Sequence, residues 1–389
     1  MSLNDFATDA ECKTQRYRKF LDRKGPGDLI INVGVDTGGT MYKEWLQRQI
    51  LAGKTERAHI EIPDPMTEDF LARHAFDWGI QKVKEAQQIL RFHIEELEDD
   101  YCPTICFHPG AGYQAAMHSG GDVLFFKGMS TSYTTGPVLT DWNKLDEVFN
   151  LDNRWIHYAK EFWRGVDSVD SSGIFVSPRF CRSPLDLAND LRGDLLFTDL
   201  YDFPDEVSVF LDKCADSIIA IDKILRADSP VLRNRPGGAI GVMAGPQTIL
   251  MNGDPLDLIS HEMVLRFNNP ALEKVTQYAP SSYLHHHSIG IDRSLVVSEV
   301  QTLTVQQITQ DPNGQRTADS ISDDLIAASL RTPIHLQMGF DHIKGSYEEF
   351  VEKLLRGRFM LDIWFPSIDA ARRQVRQTRK IVEAHGGRN

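Results

Sequence analysis

The feature that most constrains this chain is a recurring short run of apolar residues that closes in a polar or glycine turn. Residues 29–35, Leu-Ile-Ile-Asn-Val-Gly-Val, are the first such run. Both alternating faces of the run are apolar, as in a strand whose sheet is covered on both sides. Comparable runs follow at 104–108, 122–126, 173–178, 237–243, 247–251, 283–287, 305–308, 334–339 and 359–364. Between them the periodicity changes to that of helices. Phe76, Ile80, Val83, Leu90, Ile94 and Leu97 recur at helical spacing, which predicts a long amphipathic helix over 76–97. Further helices are predicted at 155–165, at 185–191 before Gly193, from Pro204 onward, at 260–267 and at 368–385. One more opens on the capping-box pattern Ser346-x-x-Glu349 and ends before Gly357.

Strands that alternate with helices, about eight of them buried on both faces, predict an α/β protein with a parallel sheet closed into a TIM (β/α)8 barrel. The 389 residues suffice for one such barrel with additions. Residues 1–28 read as an N-terminal helical extension, with Tyr17, Phe20 and Leu21 as its contacts and Gly25-Pro26-Gly27 as its end. Residues 29–389 read as the barrel, with no compositional break or linker inside it. A formal net charge of −13 argues against nucleic acid or an anionic membrane as partner. Five scattered cysteines without a C-x-x-C suit a reducing compartment. The N-terminal stretch has neither a basic segment nor an apolar one, and no run is long enough to span a bilayer. The expectation is a cytoplasmic protein that acts on a small molecule.

In such a barrel the chemistry lies at the C-terminal ends of the strands. That rule selects Asn32, Asp36, His108, Arg179, Arg182, Asp254, His285, His287, Gln306, Gln337, Asp362 and Trp364. The stretch 282–294, Ser-Tyr-Leu-His-His-His-Ser-Ile-Gly-Ile-Asp-Arg-Ser, stands out among them. Strand alternation puts His285 and His287 on one face and His286 on the other. The turn 36–40, Asp-Thr-Gly-Gly-Thr, offers backbone amides to an anion but lacks a phosphate-loop lysine. Three readings are open. In an acid–base reading His287 or His108 moves a proton, Asp254 or Asp362 orients it, and Arg179 and Arg182 hold a carboxylate. Asn32, Asp36, Gln306, Gln337 and Trp364 then line the substrate. In a metal reading His285, His287 and a carboxylate hold zinc with an open position. In the third, the barrel binds a ligand without turnover. Against all three stands a polar layer whose members merely satisfy one another.

Ser183-Pro184-Leu185-Asp186-Leu187-Ala188, then Leu191-Arg192-Gly193, then Asp199-Leu200-Tyr201-Asp202-Phe203-Pro204-Asp205-Glu206-Val207, resembles a run of the uroporphyrinogen decarboxylase-like superfamily. Pro109-Gly110-Ala111-Gly112, Gly253-Asp254 and His287-Ser288-Ile289-Gly290 are similar to shorter pieces of it, so that the resemblance spans residues 100–365. It implies a TIM barrel, a plausible homodimer and two candidate activities. The first is decarboxylation or another lyase reaction on a small carboxylate, which needs no cofactor. The decarboxylases carry an N-terminal arginine segment, whereas the matching strand here ends in Val33-Gly34-Val35-Asp36. The second is methyl transfer with zinc and a corrinoid protein as partner. That branch binds zinc through H-x-C and a later cysteine, but here Ile289 takes the cysteine's place and no cysteine follows Cys214. Only nitrogen and oxygen ligands then remain for a metal.

Overall fold

The computed structural model describes residues 3–34, 40–55, 60–127, 132–134, 136–311 and 321–386. Its strands are β1 (Asp28–Val33), β2 (Thr104–Phe107), β3 (Val123–Phe125), β4 (Ser132–Thr134), β5 (Phe175–Arg182) and β6 (Pro236–Ala239). They continue as β7 (Val242–Pro246), β8 (Thr248–Asn252), β9 (Ser281–His287), β10 (Val305–Thr309), β11 (Ile334–Gly339) and β12 (Arg358–Trp364). Eight of these form one parallel sheet in the order β1-β12-β11-β10-β9-β8-β5-β2. Apart from β1, the strands lie in chain order with helical connections between many of them, as the alternating periodicity requires. No backbone ladder joins β1 to β2 among the described residues. At that seam the Asp100 amide donates to the Ile31 carbonyl at 3.0 Å. The Asp99 and Asp100 carboxylates accept from the Val33 and Ile31 amides at 2.7 and 3.0 Å.

Two of the expected strands lie outside this sheet. Residues 123–125 pair antiparallel with β4, and β6 pairs antiparallel with β7 in a hairpin. The hairpin sits beneath the sheet's inner face. Ala239, Val242, Met243 and Ala244 share one apolar cluster with Ile30, Phe175, Leu250, Tyr283, Val305 and Met360, and with Tyr17 and Phe20 of the leading helix Leu3–Asp22. The extension therefore packs under the N-terminal ends of the strands, held by Arg16, which is bidentate on Asp28 at 2.6 Å.

Outward-facing residues of the same strands, among them Leu29, Ile31, Val33, Leu336, Phe359, Leu361 and Ile363, pack against the helices Tyr347–Leu354 and Ile368–Ala384. The capping box at Ser346 and Glu349 is formed, as the spacing predicts. The long helix runs Glu68–Phe92 and continues as a wider π turn through Leu97. No described helix is long and apolar enough to cross a membrane. With apolar residues at the lower level, the inner face turns polar toward the strands' C-terminal ends.

Candidate metal site

Alternation along β9 decides which histidines meet. Tyr283, His285 and His287 face inward with β8's Leu250 and Asn252, while Leu284 and His286 face the helices. At the end of β8 the Gly253 amide donates to the His285 carbonyl at 2.8 Å, which carries Asp254 over the ring of His285. Asn252 Nδ2 holds Asp254 Oδ2 at 2.6 Å, leaving Oδ1 toward the imidazoles. Asp254 Oδ1 lies 3.9 Å from His285 Nε2 and 3.6 Å from His287 Nε2. One ligand atom from each of the three residues falls within 4.8 Å of the others.

What stands behind each ring fixes what its Nε2 can do. His287 Nδ1 is 2.7 Å from Asp311 Oδ1. Asp311 is itself held at Oδ2 by the Ser288 hydroxyl (2.9 Å) and the Ile289 amide (3.2 Å). His285 Nδ1 meets Gln307 Oε1, and Gln307 Nε2 donates onward to Thr309 Oγ1 and to Gln337 Oε1. Both Nδ1 atoms therefore face acceptors and carry the proton. Burial also favours the uncharged ring of His285. In that tautomer each uncharged ring turns an Nε2 lone pair toward a carboxylate oxygen that has no hydrogen-bond partner. Such a cluster of acceptors is repulsive until a cation sits among them. Ligands about 2.0 Å from a tetrahedral zinc stand ~3.3 Å apart, so the atoms here, 3.6 and 3.9 Å apart at Asp254, would draw inward around an ion. Two imidazoles and one carboxylate with an open side suit zinc or another borderline divalent ion. Asp311 and Gln307 are the outer partners that orient such ligands.

The remaining expected residues separate into two groups. On the inner side, Gln337 Nε2 donates to Asp362 Oδ2 at 2.9 Å, so that His285, Gln307, Gln337 and Asp362 form one hydrogen-bonded chain. Burial pushes the Asp362 carboxyl up to about 7, against the donation from Gln337 that lowers it. Asn32 also faces inward but is spent on the hairpin, donating to the Gly241 carbonyl at 2.9 Å. Trp364 lies half-exposed over Gly34. His108, exposed beyond β2, packs on Phe180 at 5.5 Å between ring centroids, and Phe180 packs on His285 at 6.1 Å. Asp36 lies outside the described residues.

Three residues differ from expectation. Gln306 points outward and donates to the Ser294 carbonyl, and Gln307 holds the inner position opposite His285. Arg179 also points outward, because an irregularity in the β2–β5 pairing shifts the alternation past Pro178. Its Nη2 lies 3.1 Å from His118, and it does not reach the histidines. Arg182 does point inward but is already engaged with Asp190 (2.7 Å), Asp186 (3.0 Å) and Asp254 (3.5 Å). It braces Asp254 and has no free face for a carboxylate substrate.

Asp311, Gln307, Thr309 and Asp257 belong to the site without having been singled out. Asp311 follows directly on the C-terminal end of β10, and Asp257 shares the turn Asp254–Leu258 with Asp254. The strand-end rule, extended two residues past β10, points to Asp311. Burial raises the Asp257 carboxyl to about 6, with His287 opposing and Asp311 and Asp254 adding to the rise. A search against protein-family models finds no match, and a search of curated proteins finds none either.

Proposed function

We propose that this chain is a metal-dependent enzyme of the uroporphyrinogen decarboxylase-like type, built on a closed (β/α)8 barrel, with Asp254, His285 and His287 holding a divalent cation. Closure is supported by the chain-ordered parallel strands and by Asp99 and Asp100, which fill the β1–β2 seam. The observation that carries the metal reading is the pair of Nδ1-anchored imidazoles whose Nε2 atoms face the unpartnered Asp254 Oδ1. Zinc bound there supplies Lewis-acid polarisation of a substrate heteroatom. Asp311 and Gln307 keep both rings in the ligating tautomer, Arg182 and Asn252 fix the carboxylate, and Phe180 shields one side.

Of the two activities the resemblance implies, methyl transfer with a corrinoid partner protein is the one that uses such a site, here with nitrogen and oxygen in place of thiolate. A lyase reading retains one support of its own, the buried Asp362 carboxyl poised near neutrality as a proton holder. It lacks the arginine grip on a carboxylate, since Arg179 and Arg182 are both engaged elsewhere.

Metal content separates these readings. Protein refolded with zinc and then dialysed is expected to retain one equivalent by elemental analysis. His285→Ala and His287→Ala lose it, and His286→Ala, which removes an outward ring, keeps it. A zinc-free wild type, or retention in His287→Ala, would end the metal reading.

A further inference from the structure

The described side chains around this mouth are short of donors. Among the described residues around Asp254, the buried side-chain atoms without a hydrogen-bond partner are the oxygens Asn252 Oδ1, Asp254 Oδ1 and Asp257 Oδ1. His335 Nε2, one level deeper, is a nitrogen in the same state. Anions are held by converging donors, whereas unpaired acceptors call for a donor-bearing or cationic guest. The nearby arginines do not offset this. Arg182 is shared among Asp186, Asp190 and Asp254. Arg179 lies behind the sheet, and Arg293 is bonded to the Ile259 carbonyl at 3.0 Å and to Asp292 at 2.8 Å.

Charge points the same way. Asp186 and Asp190 both engage Arg182, which leaves it no charge to spare. Asp254, Asp257 and Asp311 then surround His287. A divalent cation cancels two of these three carboxylates and leaves no positive excess for an anion. The ring of Phe180, packed on His285, adds a face that favours a cationic group.

We infer that the mouth takes a small amine-bearing molecule whose ammonium lies among the carboxylates Asp254, Asp257 and Asp311 on the Phe180 side, and that it discriminates against carboxylates. This rests on the cation site proposed above. It also reverses the carboxylate substrate that the acid–base reading expects.

The test uses the full chain loaded with Co(II), whose sulfur-to-metal absorption reports thiol binding. Two probes of similar size are titrated, 2-aminoethanethiol and 3-mercaptopropionate, and each affinity is corrected for the thiol's own ionisation. The amine is expected to bind roughly tenfold more tightly, as one added ion pair in a partly dry site gives. Asp257→Asn, compared at full Co(II) loading, is expected to narrow that ratio severalfold. Co(II) uptake with equal or tighter binding of the carboxylate thiol overturns the amine assignment and leaves the metal site standing. An unchanged ratio in a Co(II)-binding Asp257→Asn variant overturns the role given to that carboxylate. Failure of the wild type to take up Co(II) removes the metal site itself and this inference with it.

Discussion

Asp362→Asn is expected to stabilise the protein at alkaline pH and to leave it nearly unchanged at acid pH. Asp362 is 2 % exposed, with one carboxyl oxygen held by Gln337 and the other unpartnered. Burial raises its carboxyl from the ordinary 3.8 to about 7. Between those two values the folded chain binds a proton that the unfolded chain has released, so stability falls as pH rises through the interval. Above the upper value the penalty is complete, about 4 kcal/mol at about 1.4 kcal/mol for each pH step. Asparagine keeps an acceptor for Gln337 and carries no charge, but its amide nitrogen takes the unpartnered position and returns part of the gain. A net stabilisation of about 2 kcal/mol at pH 8, shrinking toward zero at pH 5, is the expected outcome. Urea unfolding of both proteins across that range, with the slope m unchanged, measures it. If Asp362→Asn loses stability by the same amount at every pH, the carboxyl is a structural hydrogen-bond partner and not a strained buried acid.

Arg182→Met is expected to leave Asp186 and Asp190 buried without their cation and to cost about 3–5 kcal/mol at pH 8. The loss should shrink as pH falls, because burial favours the protonated form of both carboxyls; a loss independent of pH in urea unfolding would contradict the pairing. Gly34→Ala places a methyl 2.2 Å from Trp364 Cδ1 and 2.7 Å from Asp362 Oδ1, so it should displace the indole at about 1–3 kcal/mol. In the double variant with Trp364→Ala that cost should largely vanish, and strictly additive thermal shifts would show that the two do not touch.

The sheet was legible because covering both faces of a strand leaves little choice of residue. Runs such as 29–33 and 359–364 show it, and they pair as β1 and β12. Less legible was anything that depends on partner geometry. Gln306 and Gln307 are adjacent amides in one short strand, and sequence alone does not say which faces the core. The pairing of Gln307 with His285 does. Arg179 follows Pro178, where the pairing with β2 slips and the alternation with it. The glycine-rich run around 237–245 reads as sheet, yet it turns back on itself through Gly241, at a φ of +78°, and fills the space beneath. Arg182 was visible as a cation near the site, but its three carboxylates come from Asp186 and Asp190 in the next helix and Asp254 after β8.

The isoleucine at 289 illustrates how the site departs from the H-x-C arrangement to which it is similar. Its side chain is 53 % exposed and its amide is drawn toward Asp311, so this position is turned outward and offers the site only backbone. Under the proposed metal reading the ligands are His287, His285 two residues before it on the same face, and Asp254 from the neighbouring strand end. With an imidazole and a carboxylate in place of the thiolate, the proposed site would have harder donors and a pH-dependent occupancy. That places unusual weight on Asp311 and Gln307. The Nδ1 acceptors set the tautomer that turns each Nε2 toward Asp254, and a proton taken up at Nε2 competes with a metal there.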